Sequence, residues 1–278
     1  RWGAAAAGIG GSLYVFGGYD GNLLERTAER YTAEAGQWVQ LPKMDSGRSQ
    51  AAAAAVVDKV YICGGFTGSV ELHSVACFDT ITEEWSEAPA MKSKRLDHVV
   101  AAMGFMLYAC GGAEGGESLS SAERLNLQPD LADGEEHVWE ELPHMSEPRR
   151  GAAAAVARGE FWVCGGHTGT RCLNSVESLN PRTGEWLQRP SMLEPRFGAV
   201  AAYLGERLYV VGGHNGVKPL SSMERYNFDS NEWEFVLDMS APRSMAVAGL
   251  LVNPLNEPMY APMEAGEITR SGRDSHEA

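Results

Sequence analysis

Several things are scarce or missing in this 278-residue chain. No stretch approaches the roughly 20 consecutive apolar residues of a membrane-spanning helix, so no transmembrane segment and no membrane partner are expected. Positive charge is the minority sign: 23 Lys and Arg stand against 37 Asp and Glu, a net charge of -14. A chain this acidic repels phosphate backbones, which argues against nucleic acid as a main partner. Cysteine is sparse and odd in number, five residues (Cys63, Cys77, Cys110, Cys164 and Cys172) with no Cys-x-x-Cys spacing. That disfavours a disulfide framework or a zinc site and fits a reducing compartment, read as the cytoplasm. There is no nucleophile elbow, no phosphate-binding loop and no His-Glu-x-x-His. The chain opens on Arg1-Trp2, without a Met or a signal peptide, and reads as starting inside something longer.

What is abundant is glycine. There are 32, well above the roughly 7% of an average chain, and 13 Pro add to the turn signal. The glycines are ordered. Gly-Gly pairs recur at Gly17-Gly18, Gly64-Gly65, Gly111-Gly112, Gly165-Gly166 and Gly212-Gly213, with steps of 47, 47, 54 and 47. Trp38, Trp85, Trp139, Trp186 and Trp233 keep the phase. So do Met44, Met91, Met145, Met192 and Met239, and Arg1, Arg48, Arg95, Arg149, Arg196 and Arg243. Gly10-Gly11 and Gly115-Gly116 fall outside this register. The extra seven residues of the third repeat lie before Trp139.

Each repeat reads as four strands. Strand a follows the Arg and is small and apolar, as in Ala51–Val57. Strand b runs into the glycines, as in Val60–Gly65. Strand c is typified by Ser222–Tyr226, and strand d carries the Trp, as in Glu232–Val236. Turn residues such as Asp58-Lys59 and Asp229-Ser230-Asn231 separate them. Alone, the runs Ala4–Ala7, Ala51–Ala55 and Ala152–Ala155 favour helix. Their fixed phase to Gly-Gly outweighs that propensity, because strands converging on an axis need small side chains. Short strands at a period near 50 indicate a β-propeller. The Trp is expected to fill space between blades.

The block Leu208-Tyr209-Val210-Val211-Gly212-Gly213, then Glu224-Arg225-Tyr226, Glu232-Trp233 and Met239, resembles a kelch repeat. The expected fold is all-β: a kelch-type β-propeller with five complete four-stranded blades plus one strand of a sixth, Ala246–Val252. Past that strand the sequence offers no further Gly-Gly, so strands b, c and d of one blade are absent. The arrangement is similar to that of the BTB–kelch (kelch-like) family, whose rings close with strands from the N-terminal side. The resemblance therefore implies that the three strands, and the BTB and BACK domains, precede Arg1. The propeller is assigned to residues 1–252, and residues 253–278 to a polar tail expected to be disordered.

Loops on a rigid scaffold are where binding concentrates. Two loop positions vary while their neighbours repeat. The residue after each phased Arg is Trp2, Ser49, Leu96, Arg150, Phe197 or Ser244. The residue after each Gly-Gly is Tyr19, Phe66, Ala113, His167 or His214. The resemblance implies that these positions contact a bound peptide. The candidate partner-binding residues are Trp2, Tyr19, Ser49, Phe66, Leu96, Arg150, His167, Phe197, His214 and Ser244. The implied role is substrate recognition for a cullin-3 ubiquitin ligase, with a short segment of a target protein on the loop face. Cullin-3 itself would be met only by the BTB domain.

The phased arginines read as scaffold, satisfying carbonyls between blades. Cys63, Cys110 and Cys164 precede Gly-Gly, where Phe16 and Val211 also occur, so they read as inert apolar residues. The acidic insertion within Asn126–Glu141 has no regular ligand spacing and reads as a solvated loop. No cofactor and no metal are implied, and the chain is read as a non-enzyme. Two alternatives stand beside the adaptor: an actin-binding kelch module, and a metal-dependent kelch enzyme in which His167 and His214, in adjacent blades, would share an ion.

Overall fold

The strand-and-turn pattern of the sequence is realised as five consecutive antiparallel sheets of four strands each. The structure is a computed structural model and describes residues 1–129 and 136–249. No helix occurs among the described residues. The innermost strands are Ala5–Ile9, Ala52–Val56, Val99–Met103, Ala153–Ala157 and Val200–Leu204. Each pairs with the strand entering its Gly-Gly, the next being Ser12–Phe16, Lys59–Cys63, Met106–Cys110, Glu160–Cys164 and Arg207–Val211. The third and fourth strands complete each blade in simple meander order.

The alanine runs are strands, as their phase requires. The inner strands of blades 1 to 5 lie against one another in sequence order. Where these strands converge most side chains are Ala, with His98, Val99, Val100 and Val200 among them. Four hydrophobic clusters fill the four seams between successive blades. The seam of blades 2 and 3, for example, joins Tyr61, Cys63, Val75 and Met91 to Leu107, Leu125 and Trp139.

The paired glycines couple one blade to the next. Gly64 has φ +58°, and a Cβ there would overlap the Arg95 carbonyl oxygen. The neighbouring Gly65 N–H donates to that same carbonyl at 2.8 Å. The relation recurs at all five pairs, ending with Gly213 and Arg243. The remaining Gly115-Gly116 pair forms the tight turn of a small extra hairpin, Ala113–Glu114 with Glu117–Ser118, as φ > 0 at both central residues favours.

Two expectations change. Residues 246–249 form no strand, although Ala246, Val247 and Ala248 line the axial channel beside the inner strands. Inner strands elsewhere are held by a second strand of their own blade, and this segment has none among the described residues. Residues 250–252 and the 253–278 tail lie outside the described residues, as do Asp130, Asp133 and Glu135 of the acidic insertion. The phased tryptophans also differ. Trp139 and Trp233 are buried, and the indole N–H of Trp85, Trp139, Trp186 and Trp233 donates to Pro42, Pro89, Pro143 and Pro190 of the preceding blade. Trp38 of blade 1 has no preceding blade among the described residues and is 53% exposed.

Candidate functional site

The two variable loop positions are partners. In every blade the residue after the Arg and the residue after Gly-Gly form a β-bridge: Trp2 with Tyr19, Ser49 with Phe66, Leu96 with Ala113, Arg150 with His167, Phe197 with His214. Each bridge has two reciprocal backbone hydrogen bonds of 2.8–3.1 Å. Backbone geometry at these positions is thus uniform, and only the side chains change from blade to blade.

The next residue in each blade fixes this set around the axis. Gln50 N–H donates to Gly3 O, Asp97 to Gln50, Gly151 to Asp97, Gly198 to Gly151 and Met245 to Gly198, over 2.6–3.0 Å. All six have positive φ, between 52° and 65°. This collar links successive blades just below the bridged pairs. Sequence reasoning missed it because only Gly3, Gly151 and Gly198 carry the glycine signal, while Gln50, Asp97 and Met245 adopt the same conformation.

Beneath the collar runs the axial channel, with about 200 Å³ of open space. Its walls are alanines and valines at the start of the inner strands, together with His98 and residues Ala246, Val247 and Ala248. None of the ten candidate residues lines it; they lie above, at its mouth. Trp2 is 49% exposed and meets Tyr19 edge-on, with ring centroids 5.4 Å apart. Phe197 reaches toward blade 4, its ring over Gly151 and edge-on to His167 at 5.8 Å. Arg150 is half-buried, and its Nε has no hydrogen-bond partner among the described residues. Ser244 is exposed. Ser49 is corrected: it is 3% exposed, packed beside Gly3, and presents no side-chain surface.

His167 and His214 share a local role. The Nδ1 of His167 accepts Gly169 N–H at 2.9 Å, and that of His214 accepts Gly216 N–H at 3.0 Å. With Nδ1 accepting in each ring, Nε2 is the nitrogen left to donate outward. Partial burial and the Arg150 charge hold the His167 pKa below its ordinary value. No cluster of three metal-ligating side chains occurs among the described residues. Burial pushes all five thiols up, Cys164 to about 12, which disfavours the thiolate that reactivity needs.

The sequence reading also passed over the loop tips. Leu23, Val70 and Val217 sit in the loops after Gly-Gly of blades 1, 2 and 5 and are 64%, 49% and 89% exposed. Apolar residues inside otherwise polar turns were the available signal.

Four of the phased arginines, Arg48, Arg95, Arg149 and Arg196, are buried within the blades, while Arg1 and Arg243 are exposed. Arg95 Nη1 donates to the carbonyls of Gly111 and Ser121, and its Nε to Glu123 at 2.9 Å. Arg149 and Arg196 repeat this with Glu177 and Glu224. The carbonyls they satisfy belong to their own blade rather than to a neighbour.

Comparison with known proteins places this architecture. The profile described as the KLHDC2/KLHL20/DRC7 Kelch-repeats domain matches residues 97–252, and the Kelch motif matches residues 2–45 and 47–92. Among solved structures the chain is similar to that of YjhT, with a TM-score of 0.71 and 17% identity, covering 84% of each chain, a likeness of fold. No curated protein matches the sequence. Five four-stranded blades, their phased Gly-Gly, Arg and Trp, and a family match over more than half the chain lead to one statement: the chain belongs to the kelch-repeat family of β-propellers.

Proposed function

We propose that this propeller recognises a short segment of a target protein at the channel mouth, as the substrate-binding part of a BTB–kelch adaptor for a cullin-3 ubiquitin ligase in the cytoplasm. The observation that carries the reading is the set of bridged pairs. Five blades hold two positions in one backbone geometry and fill them with unlike side chains, while the scaffold residues repeat. Uniform placement with varied chemistry suits recognition. Aromatic residues and Arg are the side chains that most often dominate protein interfaces.

The chemistry of the mouth narrows the guest. Donors outnumber acceptors: the Arg150 guanidinium and the Nε2–H of His167 and His214. Trp2, Tyr19, Phe66 and Phe197 supply aromatic surface, and Leu23, Val70 and Val217 an apolar rim. The fitting ligand is an extended peptide that is rich in acceptors or acidic and carries at least one large apolar side chain. The adaptor role predicts that cullin-3 does not bind this propeller directly.

The test is selection of peptides on immobilised propeller from a random library. Arg150→Ala, Phe197→Ala and His214→Ala should each weaken the selected peptides about tenfold or more. Leu204→Ala, at the exposed end of the blade 5 inner strand where it turns into the second strand, should leave binding unchanged. If the mouth variants bind normally, or if the unaltered propeller sediments with filamentous actin at physiological salt, the reading fails.

A further inference from the structure

One repeat departs from the others at a buried position. The second residue of the third strand is Glu29, Ala76, Glu123, Glu177 and Glu224 in blades 1 to 5. In blades 3, 4 and 5 this carboxylate is fully buried and held by a fixed set of donors. Glu123 accepts Arg95 Nε–H at 2.9 Å and the backbone N–H of Lys92 at 2.7 Å and Ser93 at 3.4 Å. Glu177 accepts Arg149 Nε–H and Ser146 N–H. Glu224 accepts Arg196 Nε–H, Leu193 N–H and Glu194 N–H. In blade 1, Arg1 pairs with Glu29 at 2.7 Å.

Blade 2 keeps the donors and lacks the acceptor. Arg48 is 7% exposed, its Nε is buried, and no atom among the described residues accepts from it. The equivalent backbone donors are the N–H groups of Asp45 and Ser46, which make no hydrogen bond among the described residues. Arg48 Nη1 reaches the carbonyls of Ile62, Gly64 and Ser74 only at 3.3–3.5 Å, against 2.7–3.1 Å for its three buried counterparts. A buried guanidinium without a counter-charge is costly. The carboxylates nearest in the fold do not supply one. Glu87, directly across from Ala76, is exposed, and neither it nor Asp45 forms an ion pair with Arg48.

The side chain of Glu exceeds that of Ala by one CH2 and one carboxylate, the heavy atoms of acetate. Ala76 is partly exposed, so solutes reach this side of the blade. We propose that blade 2 contains a binding site for a small free monocarboxylate of formate or acetate size. One oxygen takes Arg48 Nε–H, and the other the N–H groups of Asp45 and Ser46. The ligand completes the Arg–carboxylate arrangement that the other blades build from their own chains.

The experiment compares acetate with chloride at equal ionic strength, up to about 100 mM. Acetate should raise the melting temperature of the unaltered chain by about 2–4 °C. Ala76→Glu should melt higher at the outset and gain nothing more from acetate. In the unaltered chain the Arg48 Nε–H resonance should move saturably with acetate and stay still with chloride at the same ionic strength. An equal gain in Ala76→Glu, or an Arg48 resonance that acetate does not move, overturns the proposal. Should Ala76→Glu fail to fold, the resonance titration decides alone.

Discussion

At the scale of single residues, the point of tension beside the channel is the pair Asp97 and His98. The residue just before the inner strand is Ala in blades 1, 2, 4 and 5 (Ala4, Ala51, Ala152 and Ala199), and His98 in blade 3. Its ring is buried, neither nitrogen has a partner among the described residues, and burial with the Arg95 charge lowers its pKa to about 3. Asp97, in the collar, moves the other way. Burial raises its carboxyl to about 6, opposed by a hydrogen bond from Gln50 and by the Arg150 charge. Between pH 6.5 and 3 the unfolded chain binds the His98 proton and the folded protein does not, so stability falls as pH falls. Between pH 6 and 3.8 the folded protein binds the Asp97 proton more tightly, so stability rises as pH falls. The two effects offset each other across that window. Asp97→Asn removes one side of the balance and keeps a residue that tolerates the φ of 52°. It should stabilise the protein at pH 7 by about 1–2 kcal/mol and lose stability more steeply between pH 6 and 4. Urea unfolding at pH 4, 5 and 7 checks both. A variant no more stable than the parent at pH 7 would mean that the carboxylate is not strained.

At the scale of the element, the fourth strand shows how far the sequence could be read. Five phased tryptophans announce five equivalent strands, and the structure has them. Equivalence in sequence is not equivalence in surroundings. Trp139 is 3% exposed and its indole N–H reaches Pro89 of blade 2, whereas Trp38 is 53% exposed and meets Tyr31 of its own blade. Trp139→Ala should therefore cost about 3–5 kcal/mol, and Trp38→Ala under about 1 kcal/mol, by urea unfolding. Similar losses for both would mean that the ring of Trp38 is covered after all. The same limit explains other gaps between sequence and structure. Period and phase gave the strands, the scaffold arginines and the paired loop positions, because these repeat. Ser49 looked like its counterparts, yet its side chain is packed beside Gly3 and buried, while Ser244 at the equivalent position is exposed. The collar stayed hidden because Gln50, Asp97 and Met245 do not advertise positive φ. Ala76 is a single departure from a repeated Glu, and its meaning depends on knowing which donors face it.

At the scale of the whole molecule, stability is a sum over blades and seams. Five blades share four hydrophobic clusters, so blades 2, 3 and 4 are covered on both sides and blades 1 and 5 on one. The exposures agree: Trp38 and Val39 on the fourth strand of blade 1, and Phe235 and Leu237 in and after that of blade 5, are all exposed. The collar has the same polarity, with five donors in sequence from Gln50 to Met245 and no bond from Gly3 N–H among the described residues. Opening therefore begins at the two ends of the stack, where breaking one seam frees a blade, rather than at the centre, where two seams must break. In this chain, native-state hydrogen exchange should show the slowest amides in Leu107–Cys110 of blade 3 and Phe161–Cys164 of blade 4. The fastest ladder amides should lie in the outer strands of blades 1 and 5. Because the mouth residues Phe197 and His214 ride on blade 5, a bound peptide bridging them to Arg150 should slow exchange in blade 5 more than in blade 3. Uniform protection across all five blades, with or without peptide, would contradict the additive picture and make the ring a single cooperative unit.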